Sequence, residues 1–430
     1  MIERIKNALA RCGIALWRIN QRAEETAELF FVKQQLDTRR SKDVRKYEVT
    51  VFRDVENPDG GKPSRGFTSV QLAASMDDGQ IERALKDAYY SAQFAANPYF
   101  ELTDPVQAPL VEKAGELAEA PLAWSAGRMA KALFAADVQE DAFINSAELF
   151  VIRSTDRILS SEGTDVSYTD AEVKGEFVAQ CREPEDVELY CSFQYRELDE
   201  QALSAKAAKA LTFVRDRAHA QKVLKSGKYD LVLSGDQVFT ILYYYAARSS
   251  APMVYARYST WKQGENVQGG TSGERLNVTL RAVEPYSAEG IPMADLPLLR
   301  DGELLACHGS NRFCRYLGVK PTGDYHNAKM SCPNGTVAFA ELKKGPCLWA
   351  VDFSDFQMDE MSGHFGGEIR LAYLIDEDGT VTPVTGGSVN GSILEAQKDL
   401  TFSTDRYLTA DYDGPYAVRL KNISVAGAGE

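Results

Sequence analysis

Histidine is scarce in this chain. Its 430 residues hold four, at His219, His308, His326 and His364, and no two stand at the i,i+4 spacing that puts a pair on one helix face. The HExxH arrangement of many metalloproteases is therefore missing. Cysteine is sparse and scattered, seven residues with no CxxC pair, which fits reduced thiols in a cytosol better than a disulfide framework. Positive charge is also short: 48 Lys and Arg against 62 Asp and Glu leave a net charge of −14. Duplex binding needs a basic surface that displaces counterions, so nucleic acid is not an expected partner. No uncharged run approaches the ~20 residues of a membrane span. The longest, Gln237 to Ala247, lies between Asp236 and Arg248 and has the length of a buried helix. Glu3, Arg4 and Lys6 open the chain, and the apolar run Gly13 to Trp17 stops at Arg18, so no secretory signal is expected. A GxSxG nucleophile elbow is absent as well. The expectation is a cytoplasmic protein with no membrane contact.

What is present is an ordinary globular composition, 44% hydrophobic and 26% charged, long enough for two domains. The pattern predicts an α+β fold: an N-terminal mixed sheet-and-helix domain over residues 1–222 and a mainly β domain over 223–430. Helix is predicted from Ile2 to about Leu29. Strands follow at Ala27 to Leu36 and Lys46 to Arg53, with Asp37 to Arg45 between them as a highly charged turn. Asn57-Pro58-Asp59-Gly60-Gly61 is a turn cluster. Asp77 to Asn97 reads as a helix with Ile81, Leu85, Ala88 and Tyr89 on one face. Further strands at Ala142 to Ser154, Phe177 to Arg182 and Glu188 to Tyr195 precede an Ala-rich helix from about Glu200 to Leu224. Beyond Tyr229 to Leu233, a strand, the tetrad Ser234-Gly235-Asp236-Gln237 has the form of a capping box. It opens a helix whose apolar face is Val238, Ile241, Leu242, Tyr245 and Ala246. Turn signals at Asp301-Gly302, Asn334-Gly335, Asp376 to Gly379, Gly386-Gly387 and Asn390-Gly391 suit hairpins.

Several clusters invite a site reading. His308 beside Cys307, Cys314, and His326 before Cys332 offer ligand types, but their spacing matches no standard zinc module. Buried thiols and loop histidines are the favoured reading. Asp352, Asp355, Asp359, Glu360, His364 and Glu368 lack the regular oxygen spacing of a calcium loop, and a solvated hairpin rim explains them as well. Gly264 to Gly273 precedes an alternating segment, Glu274 to Ala282, and not a helix, so a mobile hairpin is favoured over a phosphate cradle. Tyr243-Tyr244-Tyr245 must put at least one ring outside the core face, leaving core packing and a partner- or peptide-binding patch both open.

Several strings, in order, carry a resemblance. They are Asn145-Ser146-Ala147-Glu148-Leu149-Phe150-Val151, the turn Ser161-Glu162-Gly163, Ser226 to Ser234 (SGKYDLVLS), Asp301 to Leu304 (DGEL), Pro321 to Asp324 (PTGD) and the closing SGHFGGEIRLAYLIDEDG…PVTGGSVNGS. In this order, across nearly the whole chain, they resemble the TldD/PmbA family, the modulators of DNA gyrase. That family has a TldD-like branch, with HExxxH on the helix after the "VLS" strand and a later Cys completing a zinc site. Its PmbA (TldE)-like branch lacks both. Here Tyr243, Tyr244 and Arg248 stand at the three motif positions, and no Cys follows Cys347. A phenol with a pKa of about 10 is a poor neutral-pH ligand, and guanidinium is a cation. The resemblance implies the metal-free branch, with no cofactor in this chain and zinc only in a TldD-like partner. It also implies a heterodimer acting on unfolded or leader peptides, to which this chain contributes a peptide channel. Tyr243, Tyr244, Gly269 and Gly270 are the candidate peptide or partner contacts. Two other readings stand beside it. One is a homodimeric binding or regulatory protein of the same family. The other is a self-sufficient hydrolase with a metal on His308, His326 or His364.

Overall fold

The computed structural model describes residues 1–57, 60–95, 97–325 and 329–428. Pro58 and Asp59 of the expected turn, and His326, lie outside them. The fold is α+β, with sheets in both halves of the chain. The first helix, α1 (Ile2–Arg11), is shorter than the sequence suggests. Ile5, Ala8 and Leu9 complete its buried face, and Gly13, at φ 68°, ends it. Residues expected to continue the helix form β1 (Leu16–Val32) instead. It pairs on one edge with β2 (Gln35–Val55) and on the other with β4 (Ala142–Ser160). Two full ladders outweigh the helix preference of its Arg, Glu and Ala residues.

Asp37 to Arg45 is not a turn but the outer half of β2. Arg40 and Lys42 reach across to the buried carboxylate of Glu28 at 3.0 and 2.6 Å, which fixes this charged segment in register. Because β3 (Ser64–Ala73) joins β2 only from Lys46 onward, residues 35–45 form a free, exposed edge. Their charges discourage pairing with another chain. With β5 (Asp165–Cys181) and β6 (Val187–Tyr195) the order is β3-β2-β1-β4-β5-β6, antiparallel throughout.

Helix α2 (Asp78–Ala92) carries the expected Ile81, Leu85, Ala88 face and a reciprocal cap between Asp77 and Gln80. It packs with α1 over Val49, Val51 and Leu72. The helix lies so close to β3 that a Cβ on Gly66 would sit 1.7 Å from the Ala92 carbonyl oxygen. Residues 100–120 cross the surface and end in the short α3 (Glu116–Glu119). Then α4 (Leu122–Phe134) and α5 (Glu200–Ala218) bury Met129, Leu133, Leu203, Leu211 and Val214 against Leu149, Val173 and Phe177 of the sheet.

The second half begins with β7 (Gly227–Ser234), α6 (Asp236–Arg248) and α7 (Ala251–Tyr255). Short strands follow: β8 (Val278–Leu280), β9 (Leu296–Arg300), β10 (Glu303–Leu304) and β11 (Met330–Ser331). Longer ones come next: β12 (Cys347–Met358), β13 (His364–Ile375), β14 (Val381–Val384) and β15 (Ser388–Ser392). The last are β16 (Thr401–Phe402), β17 (Arg406–Leu408), β18 (Tyr412–Pro415) and β19 (Ala417–Ala426). One sheet runs β10-β9-β8-β11-β18-β17. The other runs β12-β7-β19-β15-β13-β14, and β12 also pairs with β13, so this sheet closes on itself. Asp301-Gly302 and Asp376 to Gly379 link adjacent antiparallel strands as expected. Asn390-Gly391 instead lies inside β15, where Gly391 makes room for the Phe365 ring, and Asn334-Gly335 lies in the long connection after β11. The strand expected from Glu274 to Ala282 shrinks to β8.

Helix α5 joins the halves. Tyr373 of β13 donates to Asp216 at 2.5 Å, and Arg217 lies 3.5 Å from Asp352 of β12. Arg196 bridges Asp170 and Glu284, which also takes Lys329. Burial pushes the Asp352 carboxyl up to about 6, with Arg217 and Arg370 only partly offsetting it. A raised folded-state pKa means stability present below about 3.8 and lost as pH rises through 6. The expected loss from this group is about 3 kcal/mol. Chemical denaturation of the wild type and Asp352→Asn between pH 4 and 7 should show a falling component in the wild type that the variant lacks.

Candidate functional site on helix α6

The helix after β7 starts without the predicted capping box. Gly235 occupies the cap position at φ 69° and ψ −131°, and no side chain caps the helix. Ser234 Oγ accepts instead from the Trp349 indole N–H at 3.0 Å, so its packing partner in β12 takes it from the helix. Val238, Ile241, Leu242, Tyr245 and Ala246 are buried as the period predicts, and Tyr244 joins them at 2% exposure.

The three positions singled out on this helix have separate fates. Tyr243 is half-buried and packs on Phe239. Tyr244 lies edge-on to Tyr245 and Trp261, at 5.4 and 5.7 Å between ring centroids. Tyr245 stacks on Trp261 and donates to Gln397 Oε1 at 2.7 Å. Arg248 donates to the carbonyls of Tyr258 and Met361 and lies 5.6 Å over the Trp261 ring. The guanidinium thus holds two loops to the end of the helix. Of the tyrosine run, only Tyr243 reaches the surface appreciably. Trp261, which nothing in the sequence pattern marks, organises the other residues.

Tyr243 borders a cavity of about 360 Å³ with Ser250, His308, Asp324, Tyr325 and Glu360 on its walls. Burial, then Glu360 and Asp324, raise the Tyr243 pKa, so it remains a phenol at neutral pH. His308 is buried, and its Nε2 faces the Ala246 carbonyl at 2.8 Å. A carbonyl only accepts, so Nε2 carries the proton. Burial lowers this imidazole's pKa and keeps it neutral. Among the described residues no protein donor reaches its Nδ1.

Other sequence candidates are dispersed. Gly269 and Gly270 are exposed in an irregular loop, not a hairpin. Asn266 accepts from the Gly269 amide, and Arg275 donates to the Gly269 carbonyl. His219 ends α5 on the surface, and His364 is exposed beside Ser362. In the acidic cluster Asp352 faces Arg217, while Asp359 closes its own turn through Met361 and Ser362. Burial pushes the Cys307 and Cys332 thiols up to about 12 and Cys314 to about 11, so none is a ready nucleophile.

Among the described residues no three His, Cys, Asp or Glu side chains gather to hold a metal. A phenol, a ring packed under Trp261 and a guanidinium do not fit a zinc ion at the α6 positions. Residues 226–427 match the sequence profile of the PmbA/TldA metallopeptidase C-terminal domain. This stretch, just under half of the chain, carries the C-terminal domain of the TldD/PmbA family. No curated protein matches the chain by sequence. Three solved structures share the fold over 99% of its length. TldE from Thermococcus kodakarensis matches at TM-score 0.77 and 14% identity, with 100% of that chain covered. A proposed modulator of a DNA gyrase from Thermotoga maritima matches at 0.78 and 16%, again over 100% of that chain. Another from Bacteroides thetaiotaomicron matches at 0.78 and 15%, over 98% of it.

The geometry separates Tyr243 from Tyr244 energetically. Tyr244→Ala should cost about 3–5 kcal/mol by leaving a cavity under Trp261. Tyr243→Ala, at the cavity rim, should cost less than half of that in the same urea titration.

Proposed function

We propose that this chain is the metal-free, TldE/PmbA-like subunit of a TldD/TldE-type zinc metalloprotease acting on unfolded or leader peptides. Its part is to form a wall of the peptide channel and to bind the TldD-like subunit, with the zinc and the catalysis on that partner. The observation that carries this reading is the chemistry at the motif positions of α6. Tyr243 is a protonated phenol beside a cavity, Tyr244 is core, and Arg248 is a structural cation. Such residues retain the helix while removing the ligands and the general base.

The cavity beside Tyr243 suits a peptide segment better than a reaction. Its polar groups are two phenols, the Ser250 and Ser310 hydroxyls, a neutral imidazole and carboxylates; among the described residues no hydroxyl is hydrogen-bonded to the imidazole, and the neighbouring thiols are protonated. Gly269 and Gly270 offer an exposed backbone, the remaining candidate for partner contact.

The test combines metal content with reconstitution. The purified protein should hold near-zero zinc by mass spectrometry and should not cleave an unfolded protein alone. Mixing it with a TldD-like chain should yield a 1:1 complex with chelator-sensitive peptidase activity, as expected for a two-subunit enzyme. Stoichiometric zinc and activity in this chain alone would sink the proposal. A stable homodimer with no gain on mixing would favour the homodimeric binding protein instead.

A further inference from the structure

At the opposite end of α6 from Tyr243, a cleft opens where α5 and β6 meet the start of α6 and the β17–β18 hairpin. It encloses about 570 Å³ and adjoins a second cavity of about 590 Å³, the two sharing Ser192, Lys206, Asp236 and Thr409. Its walls include the rings of Tyr195, Phe213, Tyr407 and Tyr416.

Two lysines one turn apart on α5 project into this space. Lys206 Nζ donates to Tyr407 Oη at 3.3 Å, and Lys209 Nζ donates to Tyr416 Oη and lies 5.4 Å from the Phe213 ring. Among the described residues neither is paired with a carboxylate. The nearby acids are already engaged: Asp236 accepts from Tyr407 at 2.9 Å, Asp199 caps α5, and Asp352 faces Arg217. Arg406 is neutralised by Asp413. Two partly buried ammonium groups are thus left without a direct ion pair, and Lys206 meets the Asp236 carboxylate only through the Tyr407 hydroxyl. Desolvation, with repulsion from Lys206 and Lys343 and against the pull of Asp236, lowers Lys209 to about 8. A half-buried cation in this position is costly until an anion arrives.

We propose that this cleft binds a carboxylate with an aromatic body, the carboxylate on Lys206 and Lys209 and the ring among the tyrosines. Neither the family's zinc chemistry nor the subunit role proposed above is needed for it. The same group could come from a free aromatic acid or from the C-terminal residue of a peptide.

Calorimetric titration of the full chain tests this with four probes: 3-phenylpropionate, its amide, a pentapeptide ending in phenylalanine, and that peptide amidated. The acids should bind and the amides should not. Removing either ammonium, by Lys206→Met or Lys209→Met, should weaken binding of the acids about tenfold or more, whereas Lys209→Arg should retain most of it. In the wild type, acetic anhydride labelling read by mass spectrometry should show Lys209 protected by 3-phenylpropionate and not by its amide. Tighter binding of the free-acid peptide than of 3-phenylpropionate assigns the site to peptide termini, and the reverse assigns it to small acids. Failure of both acids to bind at millimolar concentration would overturn the proposal. So would equal binding of acid and amide, unchanged affinity in both methionine variants, or labelling of Lys209 that ignores the acid.

Discussion

The C-terminal half depends on the burial of one helix. α6 starts on a glycine with no side-chain cap, so its stability must come from packing, as is usual for a helix of this length. Six of its residues are buried, Tyr244 and Tyr245 among the largest fully enclosed side chains of the chain. Elements remote in sequence attach to it: the Trp261 loop from one side, the Met361 turn through Arg248, and His308 through the Ala246 carbonyl. A helix held this way by its buried face keeps its place whatever side chains stand on its open rim. Tyr244 and Arg248 then serve as packing and as a clasp.

Between the halves, the balance of forces is different. The contacts along α5 are polar and partly desolvated: Tyr373 to Asp216, Arg217 to Asp352, and the network around Arg196, Glu284 and Lys329. Buried ion pairs recover little more than their desolvation cost, and the raised Asp352 is one sign of it. Such pairs fix orientation more than they add stability. The same desolvation acts on Lys209, where Asp236 only partly offsets it.

What could be read from the sequence follows the range of the forces involved. The α2 face, the apolar stripe of α6 and the turns at Asp301-Gly302 and Asp376 to Gly379 rest on neighbours a few residues apart, and all were legible. β1 was misread because its pairing with β4 lies more than a hundred residues away and overrides a helix-prone composition. The charged stretch Asp37 to Arg45 looked like a turn until Glu28 supplied a buried partner for Arg40 and Lys42. Ser234 has the right type and spacing for a cap, but Trp349 competes for its hydroxyl. At the site, the chemistry of Tyr243, Tyr244 and Arg248 was legible as residue types. Which ring is core and which borders a cavity was not, since Trp261 decides it. The α5 cleft left no local signal, because its lysines, tyrosines and acids come from four separate stretches.

The central place of β1 also bears on how the chain is made. Leu29 faces Leu149 across the sheet, so the inner edge of β1 has no partner until that later strand leaves the ribosome. At ~5–20 residues per second the wait is on the order of 6–24 s. In that interval a nascent β1–β2 ribbon presents an unsatisfied row of amides and carbonyls to every other chain in the polysome. Arg18, Arg22, Glu24, Glu25 and Glu28, spaced along β1, make that row a poor template for a stranger. The charge that disguised this strand as a helix protects it during its synthesis.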